Sequence, residues 1–393
     1  MVPYWLLFFI FAFGAVLAMR RAQMVAGGGS AQTYPTPLRA PANGTQVAAD
    51  LAAFRAGSAR HNIKALFFAS LVPIILIGFR YYVGTDYPNY LGIFQRISHL
   101  SFSSALNKID MGYAALNWGV SHPLGGGFWL VNLVCAILFT YGMIQFARTQ
   151  PNPWLAVTVA VPYLVITVGM GLSRQAVAIG LGMAGLAAIS KGSFPKFVAF
   201  VLAGTLFHRT VFVLIPIVAL AYSRNRLVAI GVGLLGSLAG YYVLTSGGAF
   251  DRLQATYITH TIGQSQGAMA RLSMNLPAAV LFILYAKRFS ADASERLAYL
   301  MLSAIAFICI GLLLVFPSLS TPIDRMSLYI IPLQLFVLSR LPSVFHDRRG
   351  HPSGPLTLCI ILYCALVEYV WLNYAVFARD WIPYQFYPLQ WFG

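Results

Sequence analysis

The sequence predicts an all-α, polytopic integral membrane protein. Of its 393 residues, 59% are apolar and only 9% are charged, whereas a soluble domain carries roughly 25% charged residues. The apolar residues gather in runs that approach the length of about 20 residues that a helix needs to cross a bilayer. A soluble protein of this size would need more polar surface, and a disordered chain would not contain 14% aromatic residues.

The apolar runs predict about twelve membrane passes. They lie at 2–19, 65–79, 127–147, 153–171, 174–190, 197–222, 227–245, 275–287, 297–316, 326–340 and 355–377. The run at 197–222 is interrupted by His208 and Arg209, and an arginine at the bilayer centre is costly. We therefore expect a broken helical hairpin with His208 at its tip, which places both termini on the same, extracytoplasmic side.

The basic residues support this orientation. The formal net charge is +16, and in this topology most Lys and Arg residues fall on one side, which the positive-inside rule makes cytoplasmic. They are scattered over short loops without an aromatic stacking platform, so nucleic acid is not an expected partner. We interpret 1–393 as a single transmembrane domain. Within it, 20–64 is a flexible cytoplasmic linker, and 80–126 and 246–274 are the extracytoplasmic loops that form the candidate site.

The basic residues left on the outer side are mostly arginines. They are Arg80, Arg96, Lys108, Arg174, Arg209, Arg252, Arg271, Arg325 and Arg379. The planar guanidinium fork of arginine suits a phosphate or a carboxylate. The alternative is ordinary ion pairing with the outer acidic residues, which are Asp86, Asp110, Asp251 and Asp324.

Three short segments carry polar groups at the outer surface. RYYVGTDYPNY, residues 80–90, places a carboxylate and a hydroxyl in a turn directly after an apolar run. In GLSRQAVA, residues 171–178, Arg174 opens a helix, where its charge opposes the helix dipole. An anion bound at that helix end would explain the arginine. FHRTVF, residues 207–212, holds His208 at the helix break.

These segments, followed by DRMSLYIIPL, together resemble the EpsG-like family of bacterial exopolysaccharide membrane proteins, which is related in role to Wzy polysaccharide polymerases. The resemblance runs from about residue 78 to about residue 335 and depends on the order and spacing of the motifs. The positions that match the family pattern are Gly84, Thr85, Asp86, Tyr90, Arg174, Gln175, His208, Arg325 and Tyr329.

The resemblance implies a metal-independent membrane glycosyltransferase without a cofactor in the bacterial inner membrane. Such an enzyme moves a growing glycan from undecaprenyl pyrophosphate onto the next lipid-linked repeat unit at the outer face. The expected partners are this lipid-linked oligosaccharide, membrane lipid, and flippase and chain-length or export proteins. Arg80, Arg174 and Arg325 are assigned to the pyrophosphate, with Arg271 as a weaker fourth. Asp86 or His208 is assigned as the base.

The remaining assignments concern the sugars. Thr85 and Gln175 are assigned to substrate binding, and the rings expected to stack on sugar faces are Tyr87, Tyr90, Trp118 and Tyr329.

Other functions share parts of this pattern. A transporter or flippase for the lipid-linked sugar would line a central path with polar residues, whereas the charges here lie at one face. A ligase that transfers finished glycan to another acceptor would have the same arginine cluster. In a non-catalytic component of an export complex, the outer arginines would be docking sites.

Overall fold

The computed structural model describes residues 1–27, 64–222, 231, 265, 267–290, 292–346 and 350–391. Within these residues the regular secondary structure is helical, and an isolated antiparallel bridge joins Arg80 to Phe386. The predicted all-α class is confirmed for this part of the chain. The apolar run at 227–245 and most of the predicted segments 20–64 and 246–274 lie outside the described residues, although α1 continues through Gly27.

The helices of the described residues are numbered in chain order. The first half contains α1 (Val2–Gly27), α2 (Leu71–Gly78), α3 (Tyr87–Ile97), α4 (Phe102–Leu106), α5 (Met111–Ser121), α6 (Phe128–Ala147), α7 (Pro153–Ala160), α8 (Ser173–Ile189), α9 (Phe194–Thr205) and α10 (Leu214–Tyr222). The second half contains α11 (Ala268–Ser273), α12 (Leu276–Phe289), α13 (Ala293–Val315), α14 (Ser320–Ser327), α15 (Ile331–Val344) and α16 (Gly354–Tyr374). The shorter helical segments are the π-helix Val161–Gly169 and the 3₁₀ turns Arg209–Val213, Pro317–Leu319, Leu328–Ile330, Ala378–Asp380 and Tyr387–Trp391.

Six helical segments of the described residues have the length and apolar composition to cross a membrane. They are Val2–Gln23, Phe128–Ala147, Ala268–Phe289, Ala293–Val315, Pro317–Val344 and Gly354–Tyr374. Shorter apolar helices cover most of the other predicted runs. The protein is therefore a multi-pass membrane protein, while the count of about twelve passes and the side of each terminus stay predictions.

The helix break predicted within 197–222 is confirmed. Helix α9 ends at Thr205, and the 3₁₀ turn Arg209–Val213 precedes α10. His208 lies between these segments, in neither helix. A polar pair in an apolar run interrupts the helix here, as its desolvation cost requires.

The chain forms two compact units. Unit 1 comprises Met1–Arg21, Ser58–His208 and Pro355–Gly393, and unit 2 comprises Ala22–Gly57 and Arg209–Gly354.

Glycines set the close helix packing in unit 1. A Cβ on Gly142 of α6 would overlap the carbonyl of Gly180 on α8, and a Cβ on Gly180 would lie 2.7 Å from the Cα atom of Phe139. A Cβ on Gly78 of α2 would lie 2.9 Å from the Cα atom of Leu133 on α6. Small residues of this kind let apolar helices approach to backbone contact.

Unit 2 packs α12, α13 and α15 around aromatic rings. The rings of Tyr299 and Phe336 stack with centroids 3.7 Å apart, and Phe282 contacts both. Beside them, the buried Arg340 donates to Glu295 at 3.3 Å. Because its partner neutralises it, this arginine is accommodated in the core.

Candidate functional site

The Gly-Thr-Asp turn in unit 1 is held against the start of α8. Gly84 has φ +101°, a conformation that L side chains rarely adopt. A Cβ at this position would lie 2.8 Å from the carbonyl oxygen of Met170 and 3.2 Å from the Cα atom of Gly171. The glycine is therefore required both by its backbone angle and by the chain it touches, and it brings two of the predicted motifs together.

The C-terminal segment that contains Asp380 and Phe386 also contacts the Gly-Thr-Asp turn and the residues before it. Arg80 and Phe386 form an antiparallel bridge. The Gly84 amide donates to the carbonyl oxygen of Asp380 at 2.8 Å, and the Thr85 hydroxyl donates to Oδ2 of Asp380 at 2.7 Å. This role of Asp380, which follows the last apolar run, is not predictable from the sequence pattern.

Trp381 anchors this C-terminal segment. Its indole donates to the carbonyl of Ile166 at 2.9 Å, and its own carbonyl accepts from the Tyr4 hydroxyl at 2.6 Å. A Cβ on Gly171 would lie 2.9 Å from the indole ring. The chain end is thus fixed to α1, to the π-helix and to the residues just before α8.

Arg80 is a fully buried cation. Its Nη1 donates to the Ile77 carbonyl at 2.6 Å, its Nη2 donates to the Ser173 hydroxyl at 2.7 Å, and its Cζ lies 5.9 Å from the centre of the Tyr87 ring. Its Nε has no hydrogen-bond partner, and the described residues provide no ion pair for it. Burial lowers the pKa of this guanidinium, which nevertheless stays protonated.

Arg174 lies next to Ser173 and is partly exposed. Its Nη1 donates to Oδ2 of Asp110 at 2.7 Å, and 27% of the arginine side chain and 11% of the aspartate side chain are accessible. The guanidinium Cζ lies 5.8 Å from the centre of the Tyr90 ring. Its Nε is buried and has no hydrogen-bond partner. At the first turn of α8, Ser173 therefore accepts a hydrogen bond from the buried Arg80 and is followed in sequence by the partly exposed Arg174.

Asp110 links this turn to the helix break. It is the N-cap residue of α5, although its side chain does not cap that helix. Two residues later, the Gly112 amide donates to the Leu206 carbonyl at 2.7 Å. This contact lies just before His208, which is half-buried and whose amide donates to the Gly204 carbonyl at 3.0 Å. From the sequence, Asp110 is predicted only as one of the acidic residues available for ion pairing.

Burial raises the pKa of two tyrosines in this region, Tyr87 and Tyr113. The Tyr87 side chain is almost completely buried, and burial raises its pKa to about 12. Burial also raises the pKa of Tyr113, which stacks edge-on against Tyr90 with ring centroids 5.7 Å apart. Both phenols are therefore protonated at neutral pH, and neither is available as a phenolate base.

Unit 2 contains the other assigned residues. Arg271 binds Asp324 through both ends of its fork, with Nε–Oδ1 at 3.0 Å and Nη2–Oδ2 at 2.7 Å. The Ser265 hydroxyl also contacts both partners. The ion-pairing alternative therefore applies to Arg271. The Tyr329 hydroxyl lies 2.9 Å from Oγ1 of Thr210 and its ring is buried, while Arg325 is half-buried.

The predicted site residues thus separate into two groups. Unit 1 holds Arg80, Thr85, Asp86, Tyr90, Arg174, Gln175 and His208, and unit 2 holds Arg271, Arg325 and Tyr329. Those buried in the structure are Arg80, Tyr90, Gln175 and Tyr329. Thr85 is exposed, while Asp86 and Trp118 are half-buried.

The described residues contain no group of three or more His, Cys, Asp or Glu side chains with the spacing of a metal site. What unit 1 does offer is positive charge. Arg174 and the hidden Arg80 meet at the N-terminus of a 17-residue helix, and helix N-termini favour anions through their unpaired N–H groups and dipole. The arrangement suits a phosphate or a carboxylate.

Comparison with known families gives a match that covers most of the chain. The sequence model of the EpsG family matches residues 63–386. This match reaches farther than the resemblance seen in the motifs, because it includes the C-terminal segment that holds the Gly-Thr-Asp turn. No curated protein and no solved structure matches the chain.

Proposed function

The chain belongs to the EpsG family of Wzy-like exopolysaccharide polymerases, and from this we propose that it extends a bacterial exopolysaccharide. In this proposal it transfers a growing glycan from undecaprenyl pyrophosphate onto the next lipid-linked repeat unit at the outer face of the inner membrane. The observation that carries the proposal is the pair of arginines at the start of α8 in a multi-pass membrane protein.

The two arginines contribute in different ways. Arg174 is partly exposed, so it is the residue that contacts the pyrophosphate. Arg80 is buried behind Ser173 and supplies charge without touching the ligand in this conformation. Charges held in place before the reaction stabilise a departing anion without reorganisation.

The reaction needs one bond to form and one to break. A hydroxyl of the acceptor sugar attacks the anomeric carbon of the growing chain, and the bond between that carbon and the phosphate oxygen breaks. The electron pair leaves with undecaprenyl pyrophosphate, whose charge Arg174 and the helix N-terminus stabilise. A base takes the hydroxyl proton. Asp86 and His208 are the sequence-based candidates for that base.

Reconstitution tests the proposal directly. The purified full chain in proteoliposomes, supplied with its lipid-linked repeat unit, should produce longer glycans on a gel. Arg174→Lys keeps the charge but loses the fork, so chain extension should fall by about 10²–10³. Arg96→Lys is the matched control. Arg96 lies on α3, and its side chain donates to the carbonyl of Gly92 in the same helix at 3.2 Å. Normal glycan length with Arg174→Lys would contradict the phosphate role of this residue.

The same vesicles separate the alternatives. Movement of the lipid-linked unit across the bilayer without extension would identify a transporter or flippase. Transfer of finished glycan to a different acceptor would identify a ligase. No chemistry and no transport, together with binding of other export proteins, would identify a non-catalytic component. Each of these results would replace the polymerase proposal.

A further inference from the structure

The aromatic rings assigned to sugars from the sequence are mostly covered in the structure. Tyr87, Tyr90 and Tyr329 are buried. Trp118 is covered on one face by His122, whose ring stacks on it with centroids 4.5 Å apart. A sugar presents apolar C–H groups on its faces and hydroxyl groups around its rim, so its site needs an exposed aromatic ring bordered by polar groups.

Tyr82 is an exposed ring on a strained backbone. Its φ is +49°, which makes it the only non-glycine residue in the described part of the chain with a positive φ. A bulky side chain rarely adopts this conformation, and glycine would adopt it without strain. The conformation does not serve to bury the ring, because 49% of Tyr82 is exposed. Backbone strain of this kind gathers at functional sites.

Hydrogen bonds on both sides of Tyr82 hold its backbone in place. The Tyr81 amide donates to the Gln385 carbonyl at 3.0 Å, and the Gly84 amide donates to the Asp380 carbonyl at 2.8 Å. The Tyr82 ring lies edge-on to the Tyr81 ring, with the two centroids 4.8 Å apart. The exposed ring therefore has a defined position, fixed by the C-terminal segment.

Polar groups of the C-terminal segment lie beside the same turn. The exposed Thr85 hydroxyl donates to Oδ2 of Asp380 at 2.7 Å. Oδ1 of this carboxylate lies 3.9 Å from Nε of Arg379, beyond hydrogen-bond distance, and 31% of the aspartate side chain and 80% of the arginine side chain are accessible. A sugar hydroxyl can donate to the carboxylate and accept from the guanidinium, so the pair suits neighbouring hydroxyl groups of one sugar.

This surface adjoins the helix end that is assigned to the pyrophosphate. A Cβ on Gly84 would lie 2.8 Å from the carbonyl oxygen of Met170 and 3.2 Å from the Cα atom of Gly171. Gly171 precedes Arg174 by three residues. A sugar held at the turn would therefore lie close to a pyrophosphate at Arg174, and the glycan of a lipid-linked substrate begins at its pyrophosphate.

We propose that Tyr82 is a sugar-binding residue whose ring stacks on a sugar of the lipid-linked substrate, while Asp380 and Arg379 bind the hydroxyl groups of that sugar. This inference rests on the proposed polymerase function and assigns the part of the site that recognises the glycan. The opposite charges of Asp380 and Arg379 cancel, so the subsite suits a neutral, hydroxyl-rich sugar. The strained backbone at Tyr82 is kept because the ring serves the substrate rather than the fold.

Two substitutions that both remove the ring separate its role from the backbone strain. Tyr82→Ala keeps a side chain at the strained φ, whereas Tyr82→Gly relieves the strain, so the glycine variant should unfold at the higher temperature of the two. Calorimetry on the full-length protein in nanodiscs should show that both bind the lipid-free repeat-unit oligosaccharide, used as the probe, about 2–10-fold more weakly than the wild type. Tyr82→Phe keeps the ring and should bind as the wild type does. Affinity that follows thermal stability, with Tyr82→Gly close to the wild type, would overturn the proposal.

A second probe and a matched variant serve as controls. Undecaprenyl pyrophosphate without a sugar has no group for the Tyr82 ring to stack on, so Tyr82→Ala should bind it as the wild type does. Equal loss of affinity for both probes would show a general disturbance of the site. Tyr374 ends α16 on an ordinary backbone and is 71% exposed, and Tyr374→Ala should bind the oligosaccharide normally. A loss as large as with Tyr82→Ala would assign these tyrosines to the membrane interface and overturn the proposal.

The sugar subsite and the polymerase proposal fail in different ways. In the chain-extension assay, Tyr82→Ala should raise KM by about 2–10-fold and leave kcat nearly unchanged. An unchanged KM, or no binding of the oligosaccharide to the wild type, would overturn the subsite and leave the polymerase proposal standing. If the oligosaccharide binds and the Tyr82 variants weaken it as expected, but the wild type never extends a glycan, the polymerase proposal fails while the subsite stands.

Discussion

Substituting Gly84 tests whether the Gly-Thr-Asp turn is held against α8 as the structure places it. Alanine at this position would meet two penalties. Its φ of +101° is one that L side chains rarely adopt, which costs about 1–3 kcal/mol. The new Cβ would also lie 2.8 Å from the Met170 carbonyl oxygen, an overlap of the kind that costs about 1–3 kcal/mol. The free energy of unfolding should therefore fall by about 2–6 kcal/mol.

Two other glycines in unit 1 separate these penalties. Gly125 has φ +57° but no atom within 4 Å of an added Cβ, so Gly125→Ala should show only the conformational cost of about 1–2 kcal/mol. Gly92 lies inside α3 with open space around it, and Gly92→Ala should stabilise the helix by up to about 1 kcal/mol. Thermal unfolding of the purified variants in lipid nanodiscs should rank them Gly92→Ala, wild type, Gly125→Ala and Gly84→Ala, from most to least stable. Equal loss with Gly84→Ala and Gly125→Ala would refute the contact with Met170.

Two further predictions concern the hydrogen bond between Thr85 and Asp380 and the packing of α6 against α8. Asp380→Ala removes the acceptor of the Thr85 hydroxyl, worth about 0.5–1.5 kcal/mol. In the reconstituted assay, kcat/KM should therefore fall by about 2–10-fold with Asp380→Ala and much less with Asp380→Asn, whose amide oxygen still accepts; equal losses would contradict the hydrogen bond. Gly142→Ala should lower the thermal stability of the protein by at least about 1–3 kcal/mol because its Cβ overlaps the Gly180 carbonyl. The control Gly119→Ala has open space around it, and similar stability of the two variants would argue against close contact of α6 and α8.

Local chemistry made parts of this fold predictable. The helix break at His208 follows from a polar pair inside an apolar run, and the start of α8 at Ser173 follows from the segment before Arg174. In both cases a charged residue lies within a few residues of the helix boundary, so the cost of burying its charge can be judged from the local sequence. The all-α class likewise follows from the length and composition of the runs.

Long-range partners were not predictable in the same way. The pair of Arg174 and Asp110 joins residues 64 apart, and the bond from Thr85 to Asp380 joins residues 295 apart. No periodicity or composition encodes such pairings, because the geometry of the folded chain alone brings the groups together. The choice of Asp324 as the partner of Arg271 had the same origin. The arginines and the acidic residues available to them are therefore predictable from the sequence, but which carboxylate pairs with which arginine is not.

The burial of Arg80 gives a physical reason for two arginines at one helix end. A buried cation without an ion pair destabilises the empty protein, because desolvation is not offset by a nearby negative charge. An anion bound at Arg174 would offset part of that cost, because a negative charge close to a buried cation attracts it. Linkage makes this effect reciprocal, so Arg80 strengthens anion binding by as much as the anion stabilises the buried Arg80. If the proposed pyrophosphate binds at Arg174, part of the cost of burying Arg80 is therefore recovered as binding affinity.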